Sequence, residues 1–328
     1  MGYTHFDKVS GINGIGVGAS GHEIPVIGPS GNILAFGTQG STYFVDANAG
    51  SNSKDGLSWD NAFLTMAKAF SVIASGDTIY FRGKIREQLT APVQVFDVTI
   101  IGAGNRPRHA DSTPDGGQDA ANTWTTPASG ATTAPLCKVL QQGWRFANIL
   151  FAGPTDSDCV QLYRDAGAGD AERDAGQAEF INCRFASGYN GINDPGGCFG
   201  VLVQGCRFEA LTNFCILGVG NIGAGQGSWL IENNHFYGFT NGVKICGLGC
   251  RIKGNTFTDG GTPNTTVVCN TVSNGGTSKD NFVVDNYFQT ATANFNTPDV
   301  VGNATDVWNN TSIDGETGFI GREVGQPA

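Results

Sequence analysis

The sequence predicts an all-β chain: a right-handed single-stranded parallel β-helix, or solenoid, with an N-terminal capping helix and a short N-terminal β-hairpin arm. Three observations carry this. A six-residue motif recurs seven times, its third position is Gly, Asn or Asp in every copy, and 49 glycines among 328 residues follow no collagen-like period. Those glycines must serve turns, and many tight turns imply many short strands.

The arm, residues 1–40, is Gly-rich. In it EIPVI (23–27) turns through GPSGN (28–32) into ILAF (33–36), a hairpin pattern. Two strands cannot fold alone, so the hairpin either packs on the coil or docks onto another chain. Its assembly residues are Tyr3, Phe6, Ile24, Val26, Ile33 and Phe36.

The coil is expected over residues 41–311. Near its start Phe63, Met66, Ala67, Phe70 and Ile73 recur at i, i+3, i+4 and i+7, with Asp60 as N-cap and Gly76 just past the end, which predicts an amphipathic helix over 61–74. A helix across the coil mouth would protect the edge of the first rung. Strands are expected at 78–81 and 93–101, each followed by Gly. The segment 104–135, rich in Gly, Pro, Thr and Ala, is too long for a turn and is expected to be an inserted loop.

The repeat then runs FANILF (146–151), FINCRF (180–185), VQGCRF (203–208), IENNHF (231–236), IKGNTF (252–257), VVDNYF (283–288) and VWNNTS (307–312). Successive Phe residues lie 34, 23, 28, 21 and 31 positions apart, so a turn of about 21 to 23 residues carries insertions on some rungs. The first column, Phe146, Phe180, Val203, Ile231, Ile252, Val283 and Val307, is apolar throughout, as an interior position must be. The third, Asn148, Asn182, Gly205, Asn233, Gly254, Asp285 and Asn309, holds the residue types that enter a left-handed backbone cheaply, and marks a sharp corner between two strands.

In the fourth column Asn234, Asn255, Asn286 and Asn310 would form a core ladder of rung-to-rung hydrogen bonds, at the strand spacing of about 4.8 Å. Cys183 and Cys206 occupy the same column as small buried filler. The sixth column, Phe151, Phe185, Phe208, Phe236, Phe257 and Phe288, would form an aromatic stack. Further strands are visible at CVQLY (159–163), FCILGV (214–219), GVKICG (242–247) and TTVVCNTV (265–272). A β-sandwich would also suit alternating strands, but it does not require the same corner residue after each repeat. Residues 312–328 carry no rung pattern and read as a C-terminal tail.

Net charge is -10, the pI is near 4.7, and no run of Lys or Arg exceeds two residues, which excludes a nucleic-acid footprint. No stretch approaches the roughly 18 apolar residues of a membrane span, and residues 1–20 lack a signal-peptide pattern. The expectation is a soluble chain made in the cytoplasm. Nine Cys without CxxC or Cys/His spacing read as buried free thiols, with no metal and no cofactor.

For chemistry the best segment is YRDAGAGDAERDAGQ (163–177), with Asp170, Glu172 and Asp174 as weak catalytic candidates beside Asp165, Arg164 and Arg173. It lacks the order of a calcium loop, and small-residue loops of mixed charge are commonly just solvated. Glu179, Glu209, Glu232 and Asp285 fall on different columns, so no acidic column forms. His235, alone in the coil, reads as a solvent-facing or interface residue. Ile181, Leu202, Leu230, Phe282, Val284 and Trp308 fall on the outward face, where apolar residues need cover from loops or neighbouring subunits.

The run YFVDANAGSNSKDGLSWDNAF…A…GDTIYFRG resembles the N-terminal cap and first rung of the pectate-lyase-like parallel β-helix superfamily, with a likeness covering roughly 42–310. It is specific for fold and weak for function. The opening MGYTHFDKVSGINGIGVGASGHE resembles the N-termini of phage virion proteins that carry β-helical surface domains. Together these resemblances imply a bacteriophage virion structural protein rather than an enzyme. It would be a capsid decoration or head-surface protein, made in the host cytoplasm and displayed on the virion, docked by residues 1–40 onto the major capsid protein or another virion protein. They also imply a homotrimer with coils side by side. The alternatives are a tailspike-like polysaccharide lyase or glycosidase, and a non-catalytic adhesin for cell-surface glycan.

Overall fold

The computed structural model describes residues 40–104, 122–127, 133–164, 174–218, 227–245, 247–258, 265–269, 281–289, 305–308 and 311–312. Three parallel sheets run along the coil. The first holds Thr42–Asp46, the start of Thr78–Arg86, Thr99–Gly102, Arg145–Ala147, Glu179–Ile181, Leu202–Gln204, Leu230–Glu232, Arg251–Lys253, Asn281–Val284 and Thr305–Trp308. The second holds the end of Thr78–Arg86, then Asn122–Thr125, Leu150–Ala152, Arg184–Ala186, Arg207–Glu209, His235–Tyr237, Thr256–Thr258, Tyr287–Gln289 and Thr311–Ser312. The third holds Leu89–Thr90, Cys137–Val139, Val160–Leu162, Ile192–Asp194, Phe214–Gly218, Asn241–Ile245 and Thr265–Cys269. Every described strand pairs in parallel with its counterpart in an adjacent turn, and all but the end strands of each sheet with counterparts on both sides, so the chain is a parallel β-helix.

Register follows the repeat. Phe146, Phe180, Val203, Ile231, Ile252, Val283 and Val307 are consecutive partners, and the column continues back through Ile100 to Ile79. At the corner Asn148, Asn182, Asn233 and Asp285 have φ of 58°, 52°, 57° and 56°, and Gly205 and Gly254 have 63°. Gly83, at 87°, makes the same corner in the first full rung, so the strand expected to end at residue 81 bends there and continues as Thr78–Arg86. The strand expected over 93–101 is confined to Thr99–Gly102, because Gln94 and Asp97 take positive φ and break the extended run.

Inside, the six Phe rings stack at centroid distances of 5.1, 4.7, 5.0, 4.5 and 5.0 Å, all within 12° of parallel. Trp124 extends this stack, 5.9 Å from Phe151. The segment 104–135 is therefore not wholly an inserted loop, since Asn122–Thr125 is the second-sheet strand of its rung, paired on both sides.

Beside the rings, Asn234 donates from N and Nδ2 to Asn255 Oδ1 at 2.9 and 3.0 Å, and Asn255 repeats both bonds to Asn286 Oδ1. Each Nδ2 also donates to the first-column carbonyl of the preceding rung: Asn234 to Val203, Asn255 to Ile231, Asn286 to Ile252, all at 2.9 Å. Asn310 lies outside the described residues. Cys206 and Cys183 are more than filler: their thiols reach the equivalent carbonyls of Phe180 and Phe146 at 3.4 Å, supplying the donor half of the Asn pattern. Cys137, Cys159, Cys183, Cys198, Cys206, Cys215 and Cys250 are buried and free.

The helix is shorter than the 61–74 expected, running Met66–Phe70 with Thr65 rather than Asp60 as its N-cap. Residues before it are committed elsewhere: Phe63 N donates to Phe44 O, Asp46 N to Phe63 O, and Asn52 Oδ1 accepts from the N–H groups of Leu64 and Thr65. Both carboxylate oxygens of Glu87 accept from Met66 N and Ala67 N, satisfying the helix start. At the far end Asp77 accepts from Ala74 N and Ser41 N. Met66, Ala69 and Phe70 are buried whereas Ala67 is exposed, and Phe70 meets Trp124 and Trp144 edge-on. No helix among the described residues is long and apolar enough to cross a membrane.

Candidate functional site

Of the three carboxylates singled out in the 163–177 segment, Asp170 and Glu172 lie outside the described residues. Asp174 is engaged structurally: its Oδ1 accepts from Gly176 N at 2.8 Å and its Oδ2 lies 3.5 Å from Arg164 Nε. Arg164 donates in turn to Gly197 O at 2.8 Å. Next to this corner Asp194, fully buried, accepts from the N–H groups of Gly196, Gly197 and Cys198. Burial pushes its carboxyl up to about 7 despite those bonds.

A carboxyl whose pKa is raised by folding stabilises the fold below its unfolded value near 3.8, and that contribution is lost as pH rises through about 7. Asp158, also raised by burial, acts in the same direction. The melting temperature is therefore expected to fall between pH 4 and 7, and Asp194→Asn to flatten much of that slope. A variant with the full wild-type slope in a pH series of thermal melts would refute this role for Asp194.

On the first sheet's outer face the expected lone carboxylates are paired: Arg145 Nε with Glu179 at 2.5 Å, Gln204 Nε2 with Glu232 at 2.5 Å, and Lys253 with Asp285 at 4.0 Å. The apolar outward residues Ile181, Leu202, Leu230 and Phe282 are half-buried, and Val284 is buried rather than exposed. Arg251 lies over the Phe282 ring, 5.7 Å from its centroid.

The richest chemistry stands on the second sheet's outer face, built by the fifth column of the repeat. Because each ring-bearing Phe points inward, its two neighbours point out. Arg184, Arg207 and His235 are thus consecutive partners in one outward column, with Ala186, Glu209 and Tyr237 in the other. Glu209 is clamped between two guanidiniums, one carboxylate oxygen against Arg184 Nη2 and the other 2.9 Å from Arg207 Nε. The latter is a charge contact rather than an aligned hydrogen bond.

Burial, then the neighbouring Arg207, lowers the Arg184 guanidinium to about 10, still protonated at neutral pH. The trio therefore keeps one positive charge in excess. His235 Nε2 lies 3.2 Å from Thr258 Oγ1, and burial followed by Arg207 lowers its pKa, so its ring is neutral at pH 7. Tyr237, 44% exposed, stands 6.2 Å from the His235 ring and 5.7 Å from the Arg207 guanidinium carbon. An anion-holding guanidinium on one rung thus faces a neutral base and an open phenol on the next. Sequence reading took His235 as an isolated residue and passed over both arginines, although position five of the motif placed all three in one column.

Among the described residues no group of three His, Cys, Asp or Glu side chains is arranged to hold a metal ion. No protein-family model and no curated protein matches the chain. Solved structures do. A lacto-N-biosidase of family GH136 from Eubacterium ramulus superposes with a TM-score of 0.57 at 10% identity, over 83% of this chain and 56% of that one. An alginate lyase from Paenibacillus follows at 0.46 and 12%, over 84% and 96%. The tailspike of E. coli bacteriophage HK620 gives 0.45 and 14%, over 87% and 54%. The chain spans little more than half the length of the lacto-N-biosidase. The likeness is one of fold, the parallel β-helix that the three sheets define.

Proposed function

We propose that this β-helix recognises and cleaves an anionic polysaccharide on the outer face of its second sheet, in the manner of a tailspike-type lyase. The observation that carries the reading is the positive excess of the Arg184–Glu209–Arg207 trio, set beside a neutral His235 and an exposed Tyr237. Arg207 holds the carboxylate of a uronate and stabilises the charge that develops on it. His235 takes the proton alpha to that carboxylate, the bond to the leaving glycosidic oxygen breaks, a carbon–carbon double bond forms, and Tyr237 protonates the departing oxygen.

The test is a panel of uronate-containing polysaccharides, followed by ultraviolet absorbance of the unsaturated product. Arg207→Ala, His235→Gln and Tyr237→Phe are each expected to lower turnover about 10²- to 10⁴-fold with the coil still folded. Binding without product would leave a glycan adhesin and overturn the lyase step, and indifference to the whole panel would overturn the site. A second reading, a trimeric virion-surface protein docked through residues 1–40, draws on the half-buried apolar residues Ile181, Leu202, Leu230 and Phe282 of the first sheet. Removing residues 1–40 should then abolish attachment to particles while the coil stays folded.

A further inference from the structure

Large apolar side chains are rarely exposed on the described surface, and where they are, they gather near the start of the coil. Val72, Val93 and Phe96 are 38%, 53% and 37% exposed. The segments that carry them are tied together, Phe96 N donating to Ser75 Oγ at 2.9 Å and Gly76 N to Phe96 O at 3.0 Å. The chain enters the coil at the same place. Ser41 N donates to Asp77 Oδ1 at 2.6 Å, and Thr78 N to Ser41 O at 2.9 Å. A Cβ on Gly40 would meet Gly76 O, so the entry point is packed against residue 76 itself.

Upstream of that anchor the sequence reads ILAF (33–36) and then only GTQ before Gly40. Four residues reach at most about 14 Å. The apolar run is therefore tethered within reach of Val72, Val93 and Phe96. Such a short tether gives it an effective concentration over that patch on the order of millimolar, far above that of a separate chain. Its Ile33, Leu34 and Phe36 match the patch in chemistry, and the run itself carries no charge that docking would strand.

We infer that the patch formed by Val72, Val93 and Phe96 is the docking surface for residues 33–36 of the same chain. The arm is folded back on its own coil mouth, and the partner-facing part of residues 1–40 is what precedes it. The test is limited proteolysis of the full chain with chymotrypsin, reading cleavage after Leu34 and Phe36. Burial of two large side chains resists local opening by enough to slow cleavage about tenfold or more. Val93→Ser/Phe96→Ser is expected to speed those cuts about tenfold, with the coil's melting temperature unchanged, whereas Tyr189→Ser, 43% exposed but several rungs further along the coil, leaves them alone.

Equal rates in wild type and the double variant would overturn the inference. So would protection that fades on dilution, which would assign the patch to a second copy. Should the double variant fail to fold, Ile33→Ser, which alters only the arm, must speed the cut after Phe36 by a similar factor, and an unchanged rate overturns the inference equally.

Discussion

Phe208→Ala is expected to destabilise the coil by about 3–5 kcal/mol, measured as a fall in the urea midpoint at constant slope. The ring is fully buried and lies 4.7 Å from Phe185 and 5.0 Å from Phe236, nearly parallel to both. Its removal therefore opens a cavity and breaks two aromatic contacts at once. The surroundings cannot collapse into the space easily. A Cβ on Gly191 would come within 3.0 Å of the ring, so backbone already presses on it, and that backbone is bonded to both neighbouring rungs, Gly191 N donating to Phe214 O and Val160 N to Gly191 O, and does not shift alone. Phe208→Leu, which keeps most of the volume, should cost less than half as much. Because a solenoid is held by nearest-neighbour interfaces, the loss should show first as faster hydrogen exchange in the rungs of Phe185 and Phe236. A cost below about 1 kcal/mol for the alanine variant would mean that the stack packs the coil without holding it.

The parts of the structure legible in the sequence are those that every rung must solve in the same way. A left-handed corner admits few residue types, and an interior position admits either apolar residues or, as in the Asn ladder, polar ones that bond from rung to rung, so both leave columns. What the sequence hid was set by contacts that occur once. The helix lost its first turn to Asn52 and to the backbone of Phe44, and its start is held by Glu87, partners that no local pattern announces. Trp124 sits in a stretch whose Gly, Pro and Thr content reads as loop, yet it continues the aromatic stack. The outward Arg184, Arg207 and His235 escaped for a different reason. Outward columns are free to vary, so a chemically meaningful run of three has no repeated signature, and only the pairing register makes it visible.

The Asn column makes the second large prediction, because each of its members both donates and accepts. Asn255→Ala removes the acceptor used by Asn234 N and Nδ2 and the donor used by Ile231 O, all buried. At about 1–1.5 kcal/mol for each of these three buried bonds lost, the expected cost is about 3–5 kcal/mol. Asn255→Cys separates the two halves of the role. A thiol here can reach Ile231 O as Cys206 reaches Phe180 O and Cys183 reaches Phe146 O, but it offers Asn234 no comparable acceptor. It should therefore recover roughly half of the loss. Asn255→Asp keeps the acceptor and places a charge in the core, so it should be the most damaging of the three at neutral pH and should improve on acidification. Chemical denaturation of the three variants at pH 7 is expected to rank them Cys, Ala, Asp in increasing cost. A Cys variant as unstable as the Ala variant would show that Cys183 and Cys206 occupy the column by size alone, and that the ladder begins in function only at Asn234.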